Sequence, residues 1–218
     1  QRRPQRVKKK NRKKVSVARI TAPNRHGTIA AAKPKRFNVH ARAMVTLGQL
    51  GNRICIIGPS NSGKSTLADK ISAKTGYPAT HLDQLAHKPF TDWQRRPHDE
   101  FIQLHDRVIT ADAWVIDGNY SLCMPRRFQR ATSVIWLDLP RAGCILRYIK
   151  RCMQPEHLRR GGLDGAKKEF SLGLIRYTWQ SYPQKKPQYA EILSACGKEP
   201  YMITSMQELA AHMRHWEA

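Results

Sequence analysis

One stretch dictates more of the fold than any other. Gly58-Pro59-Ser60-Asn61-Ser62-Gly63-Lys64-Ser65 fits G-x-x-x-x-G-K-[ST] at every fixed position. Arg53-Ile54-Cys55-Ile56-Ile57 precedes it, a short apolar run with β-branched residues that reads as a buried parallel strand. Thr66-Leu67-Ala68-Asp69-Lys70-Ile71-Ser72 follows, with Leu67, Ala68 and Ile71 on one helical face. A strand, a Gly-rich turn and a helix N-terminus are the context in which the pattern carries meaning. A unit of this kind calls for a parallel sheet covered by helices.

The same stretch predicts a ligand. Successive backbone N–H groups in such a turn converge on a phosphate chain. The helix starting near Gly63 adds its orphan N–H groups and the positive end of its dipole. Gly58 to Thr66 are therefore the expected nucleotide-binding residues: Gly58, Pro59, Ser60, Asn61, Ser62, Gly63, Lys64, Ser65 and Thr66. Lys64 is expected to reach the β- and γ-phosphates, and the Ser65 hydroxyl to ligate Mg²⁺. The expected cofactors are ATP and Mg²⁺. A chance Gly-rich turn is the weaker reading, because both flanks fit.

Beyond the loop, strand and helix patterns alternate. Gly76-Tyr77-Pro78 ends the first helix. Ala79 to Asp83 reads as a second strand closed by a carboxylate. A Pro-, Trp- and Arg-rich loop follows over 87–97. Asp99 to Thr110 carries Phe101, Leu104, Val108 and Ile109 at helical spacing. Ala113 to Gly118 is a third strand, Pro125 to Arg130 a short helix and Ser133 to Pro140 a fourth strand. A basic helix is expected from Arg141 to about Gln154, and Pro155 to Gly165 reads as a Gly- and Arg-rich interruption. Helices are expected again from about 167 to 182 and from 187 to 195, then a strand over 201–204 and a closing helix over 206–216. The alternation predicts an α/β fold with a parallel sheet, helices on both faces and ligands at the carboxyl ends of the strands.

Charge divides the chain. Residues 1–43 hold 15 of the 39 basic residues and none of the 16 acidic ones. That segment reads as a solvated, disordered polycation. Four readings of it stand open: contact with nucleic-acid backbone, a localisation signal, an organellar transit segment, or an over-extended start ahead of Met44. Residues 44–218 form the expected domain, with 24 basic and 16 acidic residues. Such a balance suits a protein that handles polyanionic nucleotides. No apolar run is long enough to span a membrane. The five cysteines are scattered without a C-x-x-C pair. That argues against a disulfide framework and points to a cytoplasmic setting.

The chemistry-bearing residues gather at one edge of the predicted sheet. Asp83 and Asp117 each close a strand. A carboxylate there can hold Mg²⁺ through water or accept a proton from a substrate hydroxyl. Asp138, followed by Leu139-Pro140, looks like turn chemistry. Transferring phosphoryl groups carry charge that guanidinium groups stabilise. Arg147 and Arg151 are four residues apart on one helical face and form the favoured pair. Arg141, Arg126, Arg127 and Arg130 are further candidates. Arg159 and Arg160, ahead of Gly161-Gly162, resemble part of a lid, expected over about 141–182. Trp93 is placed to stack on a base or nucleoside, and His81 either lines the site or is structural. Trp114 and Trp136 read as core, Trp179 and Trp216 as helix-packing residues.

From Arg53 to about Leu193 the chain resembles adenylate-kinase-like P-loop kinases, and more narrowly the bacterial DNA topology modulation proteins of that superfamily. The match is carried by Ile56 to Ala68, His81-Leu82-Asp83, Trp114-Val115-Ile116-Asp117-Gly118-Asn119-Tyr120 and Val134 to Arg141, with Arg147 and Lys150-Arg151. The resemblance implies a five-stranded parallel sheet, a mobile lid, ATP–Mg²⁺ binding and small-molecule kinase activity. One departure matters. Adenylate kinases carry an Arg shortly after the Asp-Gly of strand three, where this chain has Asn119-Tyr120-Ser121. That argues against adenylate as the acceptor.

The sequence thus predicts an ATP- and Mg²⁺-dependent phosphotransferase of the nucleoside- or nucleotide-kinase type. Its expected catalytic residues are Lys64, Asp83, Asp117, Arg147 and Arg151, with Ser65 and Asp117 at the metal. Its expected partners are ATP and a small-molecule acceptor. The alternative is a nucleotide-gated protein that binds DNA or RNA.

Overall fold

Five short runs become strands, and the three inner ones alternate apolar side chains between two buried faces. The five are β1 (Arg53–Ile57), β2 (Ala79–His81), β3 (Trp114–Asp117), β4 (Ser133–Leu137) and β5 (Tyr201–Ile203). The computed structural model describes residues 44–154 and 170–217. The tail over 1–43 and the Pro155 to Gly165 interruption, with Arg159, Arg160, Gly161 and Gly162, lie outside the described residues.

The strands form one sheet in the order β2-β3-β1-β4-β5, every pair parallel. The register brings Ile56 opposite Asp117, Asp117 opposite His81, and Ile57 opposite Trp136. The carboxyl ends of the three inner strands therefore share one edge. Because β1 is central and the chain winds to either side of it, a crevice opens beyond its carboxyl end.

The helices are α1 (Leu47–Leu50), α2 (Lys64–Thr75), α3 (Leu82–Ala86), α4 (His98–Thr110), α5 (Met124–Arg130), α6 (Arg141–Cys152), α7 (Leu172–Arg176), α8 (Tyr182–Ala195) and α9 (Met206–Glu217). One sheet face is Cys55, Ile57, Trp114, Ile116, Val134 and Trp136, covered by Phe101 of α4, Phe128 of α5 and Tyr182, Tyr189 and Leu193 of α8. The other is Ile54, Ile56, Val115, Ile135 and Leu137, covered by Leu67 and Ile71 of α2, Cys144 of α6 and Leu209 and Trp216 of α9. Trp136 Nε1 donates to the buried Tyr182 hydroxyl at 2.8 Å, which gives the indole its partner inside the core. No helix among the described residues is long and apolar enough to cross a membrane.

Two expectations need correction. The second strand stops at His81, and Asp83 sits in the first turn of α3. Leu82, Leu85 and Ala86 recur at helical spacing, and an acidic residue in a first turn favours helix. Second, the helix does not break between 182 and 187. A π-helical turn over Tyr177–Ser181 joins α7 to α8, with Tyr182 N–H donating to Tyr177 O. Pro183 has no N–H for the Trp179 carbonyl four residues back. Arg141 Nη1 supplies that donor at 2.7 Å, and its guanidinium lies 4.7 Å over the Trp179 ring. Trp179, 49% exposed, meets α6 through that guanidinium. Trp114, Trp136 and Trp216 are buried as expected. Helix α1, which the sequence reading did not include, starts at a capping box between Thr46 and Gln49.

Candidate active site

The Gly-rich loop leaves β1 at Gly58, whose φ of +150° only glycine tolerates. A Cβ there would meet the Leu137 carbonyl of β4 at 2.5 Å. At the other end Gly63 is left-handed and starts α2 with no side-chain cap. The first-turn N–H groups of α2 are thus left for a ligand. A buried hydroxyl, Ser62 Oγ, has no hydrogen-bond partner among the described residues and adds a polar group to the loop. Asn61, at φ +59°, completes a turn of the kind that gathers N–H groups around an anion. These features fit a phosphate chain.

Lys64 folds back over the loop, and its Nζ donates to Pro59 O at 2.7 Å. Burial lowers the ammonium pKa below its ordinary value, against the pull of Asp117 and then Asp83. The Ser65 hydroxyl donates to Asp117 Oδ2 at 2.9 Å. The two expected metal-site residues, 52 positions apart, are thus in contact. A hydroxyl and a carboxylate oxygen suit Mg²⁺, which commonly takes one or two protein oxygens plus phosphates and water. No group of three or more His, Cys, Asp or Glu side chains suited to a metal exists among the described residues.

Asp117 is buried at the end of β3 and is held from its other side. His81 Nδ1 lies 2.5 Å from Asp117 Oδ1, and His81 Nε2 lies 3.1 Å from Asp69 Oδ1 on α2. The hydrogen bond to Asp117 raises the His81 pKa, with burial opposing it. His81 is therefore a strut between two carboxylates. Asp83 stands apart and exposed, and accepts the Tyr120 hydroxyl at 2.7 Å. Burial, followed by the Asp83 charge, pushes the Tyr120 phenol far above its ordinary pKa, so this contact keeps its proton. Phe101 packs against the Tyr120 ring at 5.0 Å.

The arginines divide into two groups. Arg147 of α6 reaches the loop and donates to Ser62 O at 3.0 Å. Its guanidinium covers Gly63 so closely that a Cβ there would stand 2.8 Å from Nη2. Arg151 extends one turn further, with Nη1 3.5 Å from Asn61 Oδ1. The favoured pair is therefore at the loop. Arg126, Arg127 and Arg130 turn elsewhere: to Asp106, to Gly118 O at 2.9 Å and to Thr110 O at 3.2 Å. Asp138 pairs with Lys186 at 2.6 Å, a structural role. Trp93, 42% exposed at φ +54°, sets its edge against His87, whose Nδ1 bonds Asp83 O at 2.8 Å.

Sequence reasoning missed the contact made by Asn119. Its carboxamide Oδ1 accepts Gly58 N–H at 3.0 Å, and its Nδ2 donates to Gly58 O at 2.8 Å. The only local signal was its place two residues past a strand-ending Asp.

The parallel sheet, the loop and its flanking strand and helix make this an α/β fold of the P-loop type. No protein-family model and no curated protein matches the chain. Among solved structures, a gluconokinase from Sinorhizobium meliloti 1021 aligns over 77% of this chain and 90% of its own, at 16% identity and a TM-score of 0.48. A shikimate kinase from Bacteroides thetaiotaomicron aligns over 76% and 96%, at 13% identity and 0.45. The shikimate kinase from Acinetobacter baumannii, in complex with shikimate, aligns over 76% and 91%, at 12% identity and 0.48. At these values the likeness describes the chain trace and nothing of the chemistry.

Proposed function

We infer that the protein is an ATP- and Mg²⁺-dependent phosphotransferase that acts on a hydroxyl of a small acceptor. The observation that carries this reading is the convergence of Lys64, Ser65, Asp117 and Arg147 on one uncapped helix N-terminus. The loop N–H groups and Lys64 hold the phosphates, and Arg147 and Arg151 face the transferring group. Ser65 and Asp117 would hold Mg²⁺, which supplies charge neutralisation of the phosphates when bound. Asp83, with Tyr120 fixing one of its oxygens, orients the acceptor hydroxyl and takes its proton.

The acceptor is read as one without a phosphate. Arg126, Arg127 and Arg130, the arginines that follow the third strand's loop in sequence, are turned to other partners. Nucleosides and other hydroxy compounds fit this better than nucleoside monophosphates. The Arg-rich lid over about 141–182 belongs to the same reading, with α6, α7 and the π-helical turn as its described parts.

The test is ADP formation by the full chain with Mg²⁺–ATP, across nucleosides, nucleoside monophosphates and small hydroxy compounds. Acceptor-dependent turnover with a non-phosphorylated compound is expected. Preference for a monophosphate would overturn the acceptor assignment. Nucleotide binding without turnover on any acceptor, together with salt-sensitive DNA or RNA binding, would favour the nucleotide-gated binding protein.

A further inference from the structure

A phosphate loop works only if its peptide planes are aimed before the ligand arrives. Glycine at its first position gives no such aim, because it is the most permissive residue. In this chain the aim comes from another element. The Asn119 amide bonds both the N–H and the C=O of Gly58, and so pins two successive peptide units. The Leu137 carbonyl closes the opposite side of Gly58, at 2.5 Å from where a Cβ would be.

Asn119 is itself held from behind. Gly118 N–H donates to Ile56 O at 3.1 Å, and Gly118 O accepts Arg127 Nη2 at 2.9 Å. Arg127 is wholly buried, and its Nε and Nη1 have no hydrogen-bond partner among the described residues. It lies beside Cys55, a thiol that burial pushes up to about 11, so the sulfur is not a counter-ion. A buried guanidinium without a carboxylate is expensive. Its one hydrogen bond to backbone is the Gly118 carbonyl, directly before Asn119.

We propose that Asn119 is the positioning residue of the phosphate loop, and that Arg127 is its buried support. The proposal rests on the nucleotide-binding reading of the loop for its purpose, but its mechanics are independent of any ligand. The amide acts as a side-chain bridge between the end of β1 and the turn after β3. It fixes the orientation of the first loop peptides while Asp117, two residues earlier, meets Ser65.

The experiment uses the full chain, unaltered and as Asn119→Ala, Asn119→Asp and Arg127→Met. Hydrogen exchange is followed without nucleotide over residues 53–65, and a fluorescent ATP analogue is titrated with Mg²⁺. Asn119→Ala should speed exchange over 58–65 at least severalfold and leave 53–57 unchanged. It should weaken the analogue about tenfold, the size of one to two net hydrogen bonds. Asn119→Asp should weaken it further, because a carboxylate meets the Gly58 carbonyl and the phosphates. A purely structural residue would lower the melting point and loosen both segments alike, without that order.

Unchanged exchange over 58–65 in Asn119→Ala, or affinity within about twofold of the unaltered chain, overturns the proposal. Arg127→Met should loosen 58–65 as well; wild-type exchange in that variant removes Arg127 from the scheme. Asn119→Ser serves if the alanine variant does not fold. If the unaltered chain binds no nucleotide, the phosphotransferase reading fails, and the exchange data still decide the role of Asn119.

Discussion

Lys64→Met separates what the phosphate loop costs from what it does. The Lys64 ammonium is taken largely out of water, and that burial, outweighing the pull of Asp117 and Asp83, lowers its pKa. In return it makes a hydrogen bond to Pro59 O. A charged donor to a carbonyl contributes about 1.5 kcal/mol at the low end of its range. Desolvating an ion costs several kcal/mol when burial is complete, and less here. The two nearly cancel, with the penalty ahead. Methionine keeps the stem and removes the charge, so stability should be unchanged or about 1 kcal/mol higher. For a domain of this size that is a rise of roughly 2–4 °C in the melting midpoint.

Binding should move the other way. Losing one charge-assisted hydrogen bond to phosphate removes roughly 1.5–3 kcal/mol, about 10- to 150-fold in affinity. Thermal melts by circular dichroism, with and without Mg²⁺–ATP, read both effects at once. A pH series adds a sign. A lysine whose folded pKa is depressed binds fewer protons folded than unfolded in the window just below its ordinary 10.5. The unaltered chain should therefore gain stability relative to Lys64→Met as pH rises through that window. A midpoint lowered by more than about 4 °C would show that the ammonium is a net stabiliser. An undiminished shift with Mg²⁺–ATP would show that Lys64 does not meet the nucleotide.

Two further outcomes follow from the same geometry. Asp83→Asn should cut acceptor-dependent turnover by about 10²- to 10⁴-fold and leave ATP affinity within about twofold, read by steady-state kinetics beside a nucleotide titration; unaltered turnover would remove Asp83 from the chemistry. Gly118→Ala places a Cβ 2.8 Å from Leu82 Cβ at φ +125°, which should cost roughly 2–4 kcal/mol and lower the midpoint by roughly 5–15 °C; a drop under about 2 °C would mean that the loop relocates freely.

The loop, its strand and its helix were legible because their spacing is local and each residue type has a geometric duty. Ser65 meeting Asp117 was legible for a different reason: parallel strands end at one edge, so strand-end residues converge whatever their separation. The Leu82–Ala86 helix is hard to read because His81-Leu82-Asp83 also suits a strand end, although Leu82, Leu85 and Ala86 keep helical spacing. Arg126, Arg127 and Arg130 look alike in the sequence. Only the short helix shows that Arg127 shares a face with Met124 and Phe128, and so turns inward. The Asn119 bridge to Gly58 joins a side chain to backbone 61 residues away, and no periodicity reports such a contact. The helix through Pro183 was illegible because its missing donor comes from Arg141, on another helix.

That borrowed donor has a mechanical consequence. A proline inside a helix is usually a local defect, but here the vacancy at the Trp179 carbonyl is filled from the first residue of α6. The same helix carries Arg147 on the phosphate loop. Helix α6 is therefore a rigid lever with two grips, one at its first residue on the π-wound joint and one at mid-length on the loop. A tilt that lifts Arg147 off Ser62 also strains the Arg141 bond to the Trp179 carbonyl. The joint and the loop are thus geared together through the seven residues from Arg141 to Arg147.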